Sequence, residues 1–500
     1  MICIGVGVLL RVLHFGSIPR GLNQDEASIG YDAWCLAHFG TEGNGVHWPV
    51  HLISWGNGGN ASYAYMAAPF VAFDLSPFTL RLPMLIASLA SLFLVWFVMR
   101  RLFDERAAWA SAAVVALSPW HIMLSRWALD CNALPFLFLC GLALLTVSLH
   151  ANRRLVWLVL ASVMFGVTVY SYGPAYLSVP IFVLGALTIC ATGGLLTLRQ
   201  ALISALIFAV VALPMALYVF VNFFHWHSIH LAGITVPRLP TTPRFQTETA
   251  IGPLHNMEDL FRFLVTQQDG QVYNAITPYG VVYSGAFLAL ALGIIGVIPV
   301  LVIRRKWPLM RLFIPLWIVA CIPIGIFQEP NINRLNLLLM GLISMVGVAL
   351  ATVDKWARGT LIVALAVVLV FSGFFARDYF TVQGDRIAVE FFDGLLPALA
   401  YARGNTVRGG RICVTDQVNM PQMYVLFGSP ADSNEYIHSV KYINPEGPFR
   451  QVASYGSYTF GLQRCDFEKT RVVVAREGEE VPVPFVKAAT YSLFDVYMRH

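Results

Sequence analysis

Two carboxylates stand side by side in Gly21-Leu22-Asn23-Gln24-Asp25-Glu26-Ala27, directly after the first apolar run of the chain. A carboxyl group at a low-dielectric boundary has its pKa raised, which suits a general base working near neutral pH. Adjacent side chains diverge on a helix, so only one of the pair faces a cavity. The same dipeptide also reads as an N-cap aspartate with Glu26 stabilising the first turn behind it. A second group is Ser118-Pro119-Trp120-His121 followed by Ser125-Arg126-Trp127-Ala128-Leu129-Asp130. At helical spacing Arg126 and Asp130 share a face. They form either a structural ion pair or a site where Arg126 meets a phosphate and Asp130 orients it or the substrate. Arg334, in Asn331-Ile332-Asn333-Arg334, opens a late apolar run where a lipid phosphate would lie. The alternative is a snorkelling arginine facing headgroups.

Three weaker signals accompany these. Trp48-Pro49-Val50-His51 leads into Trp55-Gly56-Asn57-Gly58-Gly59-Asn60. Such a loop either lets backbone N–H groups approach an anion or makes a tight turn. Tyr170, Tyr172 and Tyr176 flank Gly173-Pro174 as an interfacial aromatic belt or a platform for sugar stacking. His225, His227 and His230 invite a metal, but the carboxylates that would complete a site are not nearby in sequence. These residues establish no cofactor with certainty and identify no metal site, and a divalent ion stays open.

The elements that must position these residues are membrane helices. The chain of 500 residues is 57% hydrophobic and 12% charged, with mean hydropathy +0.66, where soluble domains carry about 25% charge. About eleven apolar segments approach the ~20 residues of a span: Ile2–Phe15, Phe78–Met99, Ala107–Leu124, Asn132–Leu149, Leu155–Tyr172, Ala175–Thr192, Ala201–Val221, Val281–Ile303, Leu309–Phe327, Leu335–Val353 and Thr360–Ala376. Every second junction is basic: Arg100-Arg101 with Arg106, Arg153-Arg154, Arg199, Arg304-Arg305-Lys306, and Lys355 with Arg358. Excess Lys and Arg mark cytoplasmic loops. The N-terminus is then cytoplasmic, and 16–77, 222–280 and everything after the last span face outward from the plasma (inner) membrane. The first segment is short and carries Arg11. Either Arg11 snorkels to an interface or, the reading preferred, the native start lies upstream of Met1.

The fold class expected is a polytopic α-helical membrane protein over 1–376, with a small extracytoplasmic α/β domain over 377–500. Within the latter, Arg411–Thr415 and Thr470–Ala475 read as strands and Pro421–Phe427 as a helix. Cys413 and Cys465 are both in the exported part and are candidates to pair. The net charge of +5 sits at the ends of apolar runs and faces an anionic leaflet, so nucleic acid is not a partner. No G-x-x-x-x-G-K-[ST] loop is present, which argues against ATP-driven transport by this chain alone.

With Asp25-Glu26 in a long first loop, Ser125-Arg126…Asp130 before the fourth apolar segment and Asn333-Arg334 before a late one, the chain resembles the GT-C superfamily. Within it, the strings around Asp25 and Arg126 resemble bacterial family 39-type enzymes, relatives of protein O-mannosyltransferases and lipid A aminoarabinose transferases. The resemblance covers 1–376 in layout. It implies transfer of a sugar from a polyprenyl-phosphate lipid to an acceptor hydroxyl, with inversion. It also implies Asp25 as base, Glu26 and Asp130 assisting or binding acceptor, and Arg126 and Arg334 on the lipid phosphate. His51, Asn57 and Tyr172 are further substrate-binding candidates. Some relatives carry a Lys or His beside a Pro-Pro in the latter half of the first loop. Here Ser54–Gly59 holds no cation, although His51 is close. The competing functions are a lipid-linked glycan flippase or transporter and a polysaccharide polymerase. Mid-span charge is nearly absent and the charges collect at outer helix ends, which favours surface chemistry.

Overall fold

The computed structural model describes residues 1–243, 252–406 and 409–499. Part of the expected outer loop 222–280, residues 244–251, lies outside the described residues. All of the expected apolar segments contain helix. Among the described residues, eight helical segments are long and apolar enough to cross a membrane: Pro77–Leu102 (α4), Asp130–Ser148 (α7), Ala175–Thr192 (α9), Leu198–Phe223 (α10), Gly285–Ile303 (α12), Leu309–Phe327, Ile332–Val353 (α14) and Thr360–Phe380 (α15). Shorter helices are Ile2–Val12 (α1), Glu105–Leu117 (α5) and Arg154–Thr168 (α8). The expected segment Ala107–Leu124 is broken: α5 stops at Leu117, and Pro119, which lacks an N–H, opens a separate helix Pro119–Leu124 (α6).

The chain forms two compact units that do not divide at a single point in sequence. One comprises Met1–Phe15, Met84–Ala216 and Thr247–Gln383; the other comprises Gly16–Pro83, Leu217–Gln246 and Gly384–His500.

In the first unit α14 is the most buried of the long helices. A Cβ on Gly347 would collide with the backbone of Ala110 and Ser111, and Ser111 Oγ donates to Ser344 O at 2.6 Å. Small residues here let α5 and α14 approach closely, which is how apolar helices associate where lipid offers no hydrophobic contrast. Arg11 does not snorkel. It is fully buried, donating to Gly7 O at 2.6 Å and Ala116 O at 2.7 Å, with His121 Nδ1 at 2.7 Å. The carbonyls at the end of α5 are orphaned by the Pro119 break, and they solvate its guanidinium instead of water.

The second unit holds a seven-stranded sheet of order β10-β11-β9-β5-β8-β7-β6. Its strands are β5 Arg411–Val414, β6 Lys441–Tyr442, β7 Val452–Tyr455, β8 Tyr458–Phe460, β9 Thr470–Arg476, β10 Phe485–Tyr491 and β11 Phe494–Arg499. Strand β5 runs parallel to both neighbours, pairing Cys413 with Thr459 on β8 and with Val473 on β9; the other pairings are antiparallel. The continuous apolar run Val472-Val473-Val474-Ala475 is buried throughout, as a strand covered on both faces requires. Cys413 and Cys465 form a disulfide with Cα atoms 5.9 Å apart. The same unit contains the first loop, with helix Gln24–Phe39 (α2) and a two-stranded hairpin, β1 His51–Leu52 and β2 Gly59–Asn60.

Candidate functional site

Helix α2 begins because Asn23 caps it. The Asn23 side chain accepts from Asp25 N–H at 2.9 Å, and Glu26 Oε2 accepts from Asn23 N–H at 3.2 Å, a reciprocal capping box. The N-cap is therefore Asn23 and not Asp25. Glu26 is fully buried and meets Arg81 through a fork, Nε to Oε1 at 2.7 Å and Nη2 to Oε2 at 2.7 Å. The remaining Arg81 donors reach Pro19 O at 2.9 Å and Gly21 O at 3.0 Å. A pair buried this completely is stable only when both ions are hydrogen-bonded in full, and this geometry supplies that. Arg81 was absent from the sequence reading. Its signal was a charged residue near the start of an apolar span, where charge is costly without a use. Asp25, in the first turn of α2, is partly buried.

Helix Pro421–Gly428 (α18) of the C-terminal sheet domain packs on α2. Tyr424 donates to Leu22 O at 2.9 Å, and the Phe427 ring fills the space where a Cβ on Gly30 would stand. Burial pushes the Tyr424 hydroxyl up, and the Asp25 and Glu26 carboxylates add to that push. Tyr31 donates to Ala431 O at 3.1 Å, and Thr41 Oγ1 lies 3.0 Å from Ser433 Oγ. The acidic helix is thus seated in the C-terminal domain, a role that sequence reading did not assign to 377–500.

Helix α2 and the loop that follows together contain a second acidic feature that sequence reading missed. Asp32 and Glu42 are both buried. Asp32 Oδ1 accepts from Gly43 N–H at 2.8 Å; Glu42 Oε1 accepts from Asn44 N–H at 2.8 Å and its Oε2 from Asn44 Nδ2 at 3.0 Å. Desolvation, with Glu42 close by, holds the Asp32 carboxyl well above the usual range, and burial pushes Glu42 up to about 7.

His51 and Asn57 lie on the hairpin. The His51 ring stacks on Tyr218 at 4.0 Å between centroids, and its Nδ1 is 3.0 Å from Leu52 O. Gly56 and Gly58 N–H groups both donate to Ile53 O, at 3.0 and 3.2 Å. The glycine-rich stretch is therefore the tight turn of the two alternatives, with these donors spent inside it. Gly58 takes φ 92°, and a Cβ there would strike His51 and the Tyr218 hydroxyl. Asn57 is buried, and its Oδ1 has no hydrogen-bond partner among the described residues.

In the other unit Arg126 and Asp130 do not share a helix face. Arg126 sits in the turn after α6, and Asp130 is the first residue of α7. Arg126 is fully buried and donates to Leu10 O at 3.0 Å, Arg11 O at 2.8 Å and His14 O at 2.9 Å, the carbonyls at the end of α1. The Phe380 ring lies 5.2 Å from its guanidinium carbon. Asp130 Oδ1 accepts from Cys131 N–H at 2.7 Å. The start of α7 is pinned by a polar cluster not foreseen from sequence. Trp120 Nε1 donates to Asn336 Oδ1 at 2.8 Å, while Asn336 Nδ2 reaches Asn132 Oδ1 and Cys131 O, each at 3.2 Å. Asn336, one turn into an apolar helix, was the available signal. Arg334 stands at N3 of α14, where Asn331 caps its N–H at 2.9 Å, and its guanidinium donates to Glu329 O at 2.6 Å. Tyr172 is half-buried in the turn before α9.

His225, His227 and His230 are exposed, and His230 Nδ1 is 3.1 Å from Thr235 Oγ1. Among the described residues no three His, Cys, Asp or Glu side chains are grouped to hold a metal ion.

The family model described as dolichyl-phosphate-mannose-protein mannosyltransferase matches residues 34–221, under half of the chain and beginning after Asp25. No curated protein matches the chain. Solved structures share its fold. ArnT from Cupriavidus metallidurans in the apo state covers 99% of this chain and 97% of its own at 13% identity, with a TM-score of 0.58. The same protein bound to undecaprenyl phosphate gives 12% identity, the same coverage and 0.56. The oligosaccharyltransferase AglB from Archaeoglobus fulgidus, in complex with an inhibitory peptide and a dolichol-phosphate, covers 95% of this chain and 68% of its own at 13% identity, with 0.53. By family model and by fold together, the chain resembles the GT-C superfamily of membrane glycosyltransferases.

Proposed function

We propose that the chain transfers a sugar from a polyprenyl-phosphate donor to an acceptor hydroxyl on the extracytoplasmic face of the plasma (inner) membrane, with inversion. On this reading the chain makes about eleven spans, with the basic junctions and the N-terminus in the cytoplasm and the C-terminal domain outside. The Cys413–Cys465 disulfide supports that placement, since such bonds persist in oxidising compartments. Asp25 takes the acceptor proton as the acceptor oxygen bonds to the anomeric carbon. The bond from that carbon to the phosphate oxygen breaks, and polyprenyl phosphate leaves with the electron pair. Arg126 and Arg334 stabilise the departing phosphate; Asp130, His51, Asn57 and Tyr172 bind or orient substrate.

The observation that carries this reading is the rigid anchoring of the turn that bears the acidic pair. Glu26 is committed to Arg81 and to the capping box, which fixes the first turn of α2. Asp25 lies partly buried on that fixed turn, which holds its carboxylate in place for proton transfer, with Glu26 supporting it.

The test is release of free polyprenyl phosphate, followed by mass spectrometry, from purified protein in nanodiscs given a panel of polyprenyl-phosphate sugars and an envelope acceptor fraction. Acceptor-dependent release is expected, reduced roughly 10²–10⁴-fold in Asp25→Asn with unchanged thermal stability. Release that survives in Asp25→Asn moves the base to Glu26 or Asp130. Donor binding without release points to a flippase.

A further inference from the structure

The carboxyl end of β5 opens onto a cavity of about 240 Å³ within the C-terminal domain. In a sheet where a central strand is parallel to both neighbours, the crevice past its carboxyl end is where ligands bind. The strand passes through Thr415–Met420 into α18, and the cavity lies at that junction. Its polar lining is Asp416, Gln417, Asn419, Gln422, Gln451 and Arg464; Ile443, Val452 and Phe460 supply an apolar wall. Gln422 is 1% exposed. Its Nε2 is 3.5 Å from Met420 Sδ, while its Oε1 is buried with no hydrogen-bond partner among the described residues. Such an oxygen costs stability unless something fills its valence.

The chemistry of the lining restricts the occupant. Asp416 accepts from Arg464 Nη1 at 2.9 Å and from Gln463 Nε2 at 2.7 Å, so the one acid and the one cation of the lining neutralise each other. The Asp416–Arg464 pair presses on Gly461, at φ 92°, where a Cβ would strike both side chains. The disulfide ties Cys465, next to Arg464, back to Cys413 on β5 and so holds the pair at the strand end. Pro421 removes an N–H donor from the first turn of α18, and the connecting loop holds no glycine to bring its backbone up to a phosphate. An anion is therefore disfavoured. Carboxamides both donate and accept, as do the vicinal hydroxyls of a sugar, and an apolar wall suits the C–H face of a sugar ring.

We propose that this cavity binds a neutral saccharide. On the reading that the chain is a glycosyltransferase, on which this second step rests, that saccharide is the acceptor glycan. Helix α18 starts in the cavity and packs along α2, so a glycan seated here is held by the same domain that seats Asp25.

The experiment is saturation-transfer NMR on the full chain in nanodiscs. The probes are the methyl glycosides of mannose, glucose and N-acetylglucosamine, their linear tetrasaccharides, and inorganic phosphate as the anionic control. At least one saccharide is expected to bind, with affinity falling tenfold or more in Asn419→Ala and in Gln451→Ala, side chains toward the open face. Gln422→Leu is expected to abolish binding, with an unchanged melting temperature showing that the variant is folded. Asp25→Asn is expected to bind the saccharide as wild type does. Loss of transfer in Asp25→Asn with binding intact separates the two proposals. Saccharide binding without transfer by any donor retains the site and removes only its acceptor role. No binding by any saccharide, binding unchanged in all three cavity variants, or binding of phosphate in their place overturns the site.

Discussion

Two acidic features of the first loop are buried by opposite means. At the start of α2, Glu26 faces a cation: Arg81 closes a two-bonded fork on it, and the cap supplies a third bond. Between Asp32 in α2 and Glu42 in the turn after it, one carboxylate faces the other, with mainly backbone and amide donors around them and Arg450 offsetting part of the burial at Glu42. The first arrangement is fixed by direct contact between opposite charges. The second favours holding a proton, because like carboxylates out of water resist joint ionisation. Burial alone does not tell a titrating acid from a structural one; the sign of the neighbouring charge does.

Breaking the first arrangement is expected to have the largest effect. Arg81→Ala leaves a buried carboxylate unpaired and should destabilise by roughly 3–5 kcal/mol. Thermal unfolding in detergent checks this, and a double variant with Glu26→Gln should recover part of the loss. Full recovery or none would mean that the fork does not act as a unit.

The second arrangement is read through pH. Glu42 has its pKa raised on folding from 4.5 to about 7, so the folded chain keeps a proton that the unfolded chain has shed. The stability this group contributes is complete below pH 4.5 and is lost as pH rises to about 7. Glu42→Gln removes that titration, so the fall in melting temperature across this window should flatten. An unchanged slope would place the proton on Asp32, and Asp32→Asn would flatten it instead.

The smallest effect sharpens the comparison by removing only the cap. Asn23→Ala should cost about 1 kcal/mol, with the Glu26–Arg81 fork retained. A loss as large as that of Arg81→Ala would show that cap and fork are one network.

The long apolar helices were legible in the chain, because a span needs a long apolar run. The sheet strands Arg411–Val414 and Thr470–Arg476 were legible from short β-branched runs, and Cys413 with Cys465 from their shared placement. Helix boundaries at prolines were less so. The run Ala107–Leu124 looked continuous until Pro119 divided it, and the turn 125–129 after α6 separated Arg126 from Asp130, which helical spacing had placed on one face. The glycine-rich loop after His51 suited an anion nest or a turn equally. Only the hydrogen bonds to Ile53 O distinguish them.

The sequence by itself determined which segments are apolar, where charge gathers, and that Asp25 and Glu26 open a helix, because periodicity and composition are local properties. Tertiary structure decided that Glu26 forks with Arg81, that Arg11 is buried among carbonyls, and that the C-terminal domain seats α2. Each depends on a partner far along the chain: Arg81 for Glu26, Ala116 for Arg11, Tyr424 for Leu22. Hydrogen bonds and ion pairs act over a few ångströms in space, and separation along the chain carries no record of that distance.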